Sequence, residues 1–234
     1  MFTFLSYGAG VQTTALLALL KPQHVIFADT GDEHPLTYRY LTTSTLPFVH
    51  NYGGNFILVG HQQFTHLSDQ CIQQHIIPFR MSRWCTDKYK IRPIRQWLKD
   101  HNHLPATRIL GIGPEESHRQ RPSETTDSTN IFPLIEKQLD REHCRQIIMA
   151  AGLPIPPKSG CWLCPFQPKR SWITLRKEHP DLYRKARELE INGQGFEHRV
   201  YLGGDKPLEQ WLASGRLAVN DDQLELAIPC ACSD

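Results

Sequence analysis

The chain has 234 residues, 40% of them hydrophobic and 21% charged, which excludes a disordered or collagen-like polymer and predicts a globular protein. At that length one domain, or one domain with an appendage, is expected. Lys and Arg number 26 against 24 Asp and Glu, and this formal charge of +2 excludes a strongly basic nucleic-acid-coating protein while leaving room for a local basic patch.

Residues 2–5 are apolar and predict a short buried strand, followed by the Gly-rich turn Ser6-Tyr7-Gly8-Ala9-Gly10. Residues 13–20 are strong helix formers, stopped by Pro22. A second strand is predicted at 24–28, ending in Asp29-Thr30-Gly31, then a helix at 35–41 and a third strand at 56–59 bounded by glycines. Residues 91–98 predict an amphipathic helix and 108–112 a further strand. This alternation predicts an α/β fold, a parallel five-stranded Rossmann-like sheet with helices on both faces. Ligands of such sheets bind outside the carboxyl ends of the strands, where the Gly-rich loop and Asp29 both fall. Residues 115–130 are polar and rich in Ser, Thr and Pro; they read as a long loop, a functional lid or simply disordered. From Asp140 the pattern is helical, and 171–189 reads as one charged helix. The expected organisation is a nucleotide-binding domain over 1–135 and a helical, cysteine-bearing segment over 136–234 that closes over the strand ends.

No apolar run reaches the roughly 18–20 residues needed to cross a bilayer, and the N-terminus lacks a basic n-region, so a cytoplasmic protein is expected, with no membrane partner. The seven cysteines are an odd number for a disulfide framework, and a reducing compartment favours metal or redox chemistry. Cys161-Trp-Leu-Cys164 is a C-x-x-C whose two thiolates can each bind a metal or a cluster iron, with a thioredoxin-like redox pair as the alternative. Cys85 stands among Arg83, Lys88 and Lys90, whose charge is expected to lower its pKa and to hold an anionic cluster. Cys144 lies between Arg141 and Arg145, on a predicted helix. Four thiolates from Cys85, Cys144, Cys161 and Cys164 would suit zinc or a 4Fe–4S cluster, and spacing does not separate the two. With three ligands, one iron would be open. Cys71 reads as a core residue. Cys230 and Cys232 form a terminal C-x-C that suits a persulfide carrier, an electron shuttle or a ligand pair, or is an incidental tail. The twelve histidines are scattered and predict no metal site.

A glycine loop between strand and helix presents backbone N–H groups to a phosphate, with Thr13 and Thr14 placed to donate beside them; the alternative is a tight turn needing glycine for positive φ. No Walker-A lysine is present. Ser6-Tyr7-Gly8-Ala9-Gly10-Val11-Gln12-Thr13 resembles the PP-loop of the adenine-nucleotide α-hydrolase superfamily (the HUP fold), in its PAPS-reductase-like branch. Phe27 to Pro35 with Thr37-Tyr38, Arg83-Trp84-Cys85-Thr86 with Lys90-Ile91-Arg92-Pro93, Gly111 to Arg119, and Lys158 to Phe166 resemble that branch's later motifs, in order. The resemblance implies an adenine nucleotide, ATP or PAPS, bound by Ser6, Gly8, Ala9, Gly10, Gln12, Thr13, Asp29, Thr30, Gly111, Glu116 and Arg119. It favours the 4Fe–4S cluster over zinc. It also implies sulfur transfer to an acceptor such as a nucleobase or nucleic acid, with a sulfur or electron donor protein as partner. Gln12 replaces the aspartate that helps hold magnesium in ATP-cleaving relatives, and Val11 a frequent lysine, so ATP cleavage is not implied. Gln12 resembles the loop of sulfonucleotide reductases, yet their C-terminal Glu-Cys-Gly-Leu-His motif is absent. A nucleotide-sensing module without turnover is the remaining class. Arg92, Arg95, Arg119 and Arg121 are candidates for a basic rim facing a phosphorylated substrate.

Overall fold

The computed structural model describes residues 1–121, 123, 127–193, 200–204 and 206–214. Five strands, β1 (Phe2–Tyr7), β2 (His24–Asp29), β3 (Asn55–Gly60), β4 (Ala106–Ile109) and β5 (Ser128–Ile131), form one sheet in the order β3-β2-β1-β4-β5. Every pairing is parallel, with Leu5 opposite Val25 and Ile109 opposite Ile131 among the register pairs. This is the predicted α/β fold.

Strand alternation divides the sheet's apolar residues between two cores. Leu5, Tyr7, Val25, Phe27 and Ile109 face one side, against α1 (Val11–Leu20) and α8 (Arg141–Ala150). Phe4, Ile26, Ala28 and Val59 face the other, against Ile94 and Leu98 of α6 (Arg92–Asp100). The second helical run is continuous: α2 (Pro35–Tyr40) passes through a π-turn, Leu41–Thr45, into α3 (Leu46–Asn51). A third core stands apart from the sheet, formed by α4 (Leu67–Gln74), Tyr89, the Cys161–Leu163 turn, α9 (Lys169–Glu178), α10 (Pro180–Asn192) and Leu208 of α11 (Leu208–Ala213). Between them lie α5 (Trp84–Thr86), a second π-turn, Asp87–Ile91, and α7 (Pro133–Glu136).

Three local expectations are corrected. β5 lies inside the stretch read as a loop; its Ser-Thr-Asn-Ile sequence shows little apolar signal because it is an edge strand paired on one side only. The single helix expected over 171–189 is two, because Pro180 lacks an amide hydrogen and pushes His179 out of helical geometry (φ −134°, ψ 64°). The segment after residue 136 is shared between two cores: α8 packs on α1, and the cysteine-bearing part forms the separate helical lobe.

Candidate functional site: the strand-end cleft and the cysteine cavity

The loop after β1 rises to the N-terminus of α1, where Gly10 is the cap residue in extended conformation (φ −95°). The left-handed residue is Ala9 (φ 56°), not a glycine, so positive φ does not explain Gly8 or Gly10. A Cβ on Gly8 would meet nothing within 4 Å, which leaves the loop backbone open to a ligand. A Cβ on Gly10 would stand 3.0 Å from Ser159 Oγ, so this glycine lets the cysteine motif approach the loop. Gly111, just past β4, touches the same helix start; a Cβ there would lie 2.6 Å from Thr13 Cγ2 and 3.0 Å from its backbone N. Ser6 ends up inside β1, and Gln12 is half-buried in the first turn of α1.

The two threonines are spent differently from expectation. Thr13 Oγ1 accepts from Gly10 N and donates to Gly10 O, both at 3.2 Å, and so stiffens the loop. Thr14 is fully buried and shares a hydrogen bond with Tyr7 OH, which also meets Thr45 Oγ1 at 2.9 Å; it is core, not a phosphate contact.

Asp29 closes β2, where its Oδ1 accepts from Gly31 N (2.9 Å) and from Tyr38 OH (2.7 Å). Burial and the Asp29 carboxylate both push the Tyr38 hydroxyl far above its ordinary range. Glu116, buried, accepts from Arg119 Nη1 at 3.0 Å beside Gly113, which anchors that pair at the same strand-end edge. Thr30, expected beside the nucleotide, is seated against the cysteine motif, its hydroxyl 3.1 Å from Cys161 Sγ and 3.3 Å from Glu33 Oε1.

The cysteine motif is docked onto the end of β2 by backbone and buried acids. His34 N donates to Gly160 O (2.9 Å), Trp162 N to Asp32 O (3.0 Å), and Glu33 and Cys161 form an antiparallel bridge. Asp32 accepts from Ser68 N (2.6 Å), Ser68 Oγ (3.1 Å) and Trp162 Nε1 (3.0 Å), which joins β2, α4 and the motif at one carboxylate. Burial nevertheless raises its pKa above the ordinary carboxylate value. Glu33 accepts from Lys90 Nζ at 3.2 Å and from the Cys161 thiol at 3.6 Å, and its side chain is only 2% exposed. Lys90, expected to serve Cys85 and an anionic cluster, pairs with Glu33, while Asp32, Glu33 and Ser159 had no assigned role at the sequence level; the signal available was two adjacent carboxylates shortly after a strand end.

Cys85, Cys161 and Cys164 line one small cavity with Thr30, Arg83 and Lys90. Cys144 does not join them. It is fully buried on α8 in the core against α1, and burial, reinforced by Glu115 and Asp140, pushes its thiol up to about 12. Of the four cysteines expected to converge, three line this cavity. Cys71 is a core residue, as expected, but of the same lobe as Cys161. The five described cysteines are all free thiols, and Cys230 and Cys232 lie outside the described residues. The expected lowering of the Cys85 pKa by its basic neighbours is overturned: burial raises it, and Lys90 and Arg83 offset only part of that. Cys161 is raised well above the ordinary thiol value by burial and by Glu33. Among the described residues no three His, Cys, Asp or Glu side chains are grouped to hold a single metal ion, and no helix is long and apolar enough to cross a membrane.

Comparison with known proteins bears on this geometry. A solved phosphoadenylyl-sulfate (PAPS) reductase of Candida auris, in a phosphate complex, superposes with a TM-score of 0.50 at 15% identity, over 69% of this chain and 82% of that one, and so shares the fold. Two uncharacterized proteins of Methanocaldococcus jannaschii are 22% and 23% identical over 78% and 73% of this chain. The chain spans 46% and 36% of the length of those two relatives. The model of the phosphoadenosine phosphosulfate reductase domain matches residues 3–157, which takes in the sheet, the loop after β1 and Cys85 and stops just short of Cys161. With the sheet order, the glycine loop and Asp29 at one edge, the chain belongs to the phosphoadenosine phosphosulfate reductase domain family.

Proposed function

We propose that this protein is a sulfur-transfer enzyme that binds an adenine nucleotide on the loop of residues 6–13 and an iron–sulfur cluster on Cys85, Cys161 and Cys164. One observation carries the reading: thiols from two distant chain regions line a single cavity, and the motif that supplies two of them touches the nucleotide loop at Ser159 and Gly10. Three thiolates suit a cluster or zinc, and the resemblance of their motifs to those of cluster-bearing relatives favours the cluster. Arg83 and Lys90 supply positive charge for an anionic cluster. Bound there, a 4Fe–4S cluster would supply an iron without a protein thiolate, where a sulfide can sit.

The chain's own residues then do the rest. Lys90 and Thr30 hold Glu33, and Glu33 receives the Cys161 proton that ligation must displace. Gly8 and the first amides of α1 take the phosphates, and Asp29 and Tyr38 fix the rim of the cleft. Cys230 or Cys232 would carry sulfane sulfur as a persulfide, formed by exchange with a donor protein's persulfide, which is left as a thiol. The test is anaerobic purification, mass spectrometry of the co-purifying nucleotide, and a search for thiolated product. An adenine nucleotide with a thiolated acceptor supports the reading. A second reading, a sulfonucleotide reductase, draws on Gln12 and on the family; release of sulfite from PAPS with no thiolated product would favour it.

A further inference from the structure

In a doubly wound sheet each face is normally covered by helices through apolar contacts. Beyond α6 this chain departs from that rule. On the α6 side of β4 and β5, Ala106 still packs into the α6 core, but Arg108, Ser128 and Asn130 do not; they line a groove of about 1020 Å³ together with α6. That volume is at the top of the range for small-molecule pockets, roughly 300–1,000 Å³. Arg92, Arg95 and Lys99 present one face of α6 to it, at helical spacing over about 10 Å, room for more than one phosphate. With Arg108, Arg119 and Arg121 the groove carries six cations against the carboxylates of Asp87, Asp127 and Glu116, the last paired with Arg119, a local charge of +3 in a chain whose total is +2.

Arg92 pairs with Asp87 (2.6 Å) and Arg95 with Asp127 (3.2 Å). Lys99 and Arg121 are exposed and make no ion pair among the described residues. Leu104, Leu110 and Phe132 give the groove an apolar floor. Asn130 Oδ1 is buried with no hydrogen-bond partner among the described residues, an acceptor that an exocyclic amino group of a base would meet. A cationic track supplies the backbone-following part of a single-strand binding surface, and Phe132, largely buried, is the one aromatic ring among the described residues of its lining.

The groove also borders both halves of the site. The run from Trp84 to Arg92 turns Cys85, Thr86 and Lys90 to the cysteine cavity and Asp87, Ile91 and Arg92 to the groove. Ile112 lines the groove one residue after Gly111 touches the nucleotide helix. We propose that this groove binds single-stranded nucleic acid and leads it to the strand-end cleft. That the strand is the sulfur acceptor rests on the function proposed above; the binding does not.

The test is fluorescence anisotropy of the full chain with a labelled mixed-sequence 12-nucleotide strand, as RNA and as DNA, over a salt series. Parental protein should bind, and more weakly as salt rises. The Arg95→Glu/Lys99→Glu variant, with both positions exposed, should bind at least tenfold more weakly while its adenine-nucleotide affinity and urea midpoint stay unchanged. Arg184→Glu/Lys185→Glu, on exposed α10 positions outside the groove, should change affinity by less than twofold. Absence of strand binding, equal loss in the two double variants, or full displacement by equimolar free ADP would overturn the groove. Strand binding that passes these tests without any thiolated product would leave the groove standing and remove sulfur transfer.

Discussion

In the sheet body the loop after β1 is positioned by apolar packing: β1 and α1 bury Leu5, Tyr7, Leu16 and Leu17 on either side of it, and Gly10 is tied to the helix start by its contacts with Thr13 and Thr14. In the helical lobe the cysteine cavity is positioned by buried polar groups instead: Asp32 ties Ser68 to Trp162, and Glu33 ties Lys90 to Cys161. The difference matters because apolar cores tolerate adjustment, whereas a buried charge with a missing partner is strongly destabilising. The two regions should therefore fail separately and for different reasons.

The largest effect is expected at Lys90→Ala, which strands the Glu33 carboxylate in the lobe and should cost about 3–5 kcal/mol. Alkylation by iodoacetamide should then reach Cys161 at lower urea than Cys144. Equal reactivity of the two thiols at every urea concentration would mean that lobe and sheet unfold as one unit. Gly111→Val comes next: its new side chain drives into Thr13 at the start of α1, an overpacking cost of about 1–3 kcal/mol, and nucleotide binding measured by calorimetry should be lost. Cys144→Ser buries a hydroxyl between α8 and α1 at a cost of about 1–3 kcal/mol, with iron content unchanged.

The smallest effect concerns the junction of the two regions. His34 Nδ1 accepts from Leu36 N at the start of α2, and the ring stands 5.3 Å from that of His179. Burial first, and then His179, lower its pKa below the ordinary 6.5. The unfolded chain therefore takes up the proton first as pH falls, so the stability this histidine contributes is complete above about 6.5 and is lost below it. Urea midpoints measured at pH 7.5 and pH 5.5 should differ in that direction, and His34→Asn, which keeps a capping acceptor without titrating, should narrow the difference.

The same division explains what could be read from sequence. Three of the five strands, β1 to β3, carry apolar runs that pack into the sheet cores, and glycine-bearing motifs mark two strand ends, so that part of the sheet, the loop and Asp29 were legible; β4, with only Ala106 and Ile109 in the cores, lies slightly ahead of the strand expected at 108–112. β5 was not legible, because Ser128 and Asn130 face a polar groove rather than a helix. Cys85, Cys161 and Cys164 were legible from their motifs. Cys144 misled because two flanking arginines resemble a cluster environment, and only packing shows that its side chain points into α1. The contact of Thr30 with Cys161, 131 positions away, was not legible, because only the folded packing brings the two together.

The central claim, that three cysteines and not four hold a cluster beside the nucleotide loop, is tested most directly by iron and acid-labile sulfide analysis of anaerobically purified parent, Cys161→Ser and Cys144→Ser proteins. The account predicts about four irons per chain in the parent and in Cys144→Ser, with loss of both iron and the brown colour in Cys161→Ser. A parent without iron after anaerobic reconstitution, or a Cys144→Ser protein that loses its iron as fully as Cys161→Ser does, would contradict it.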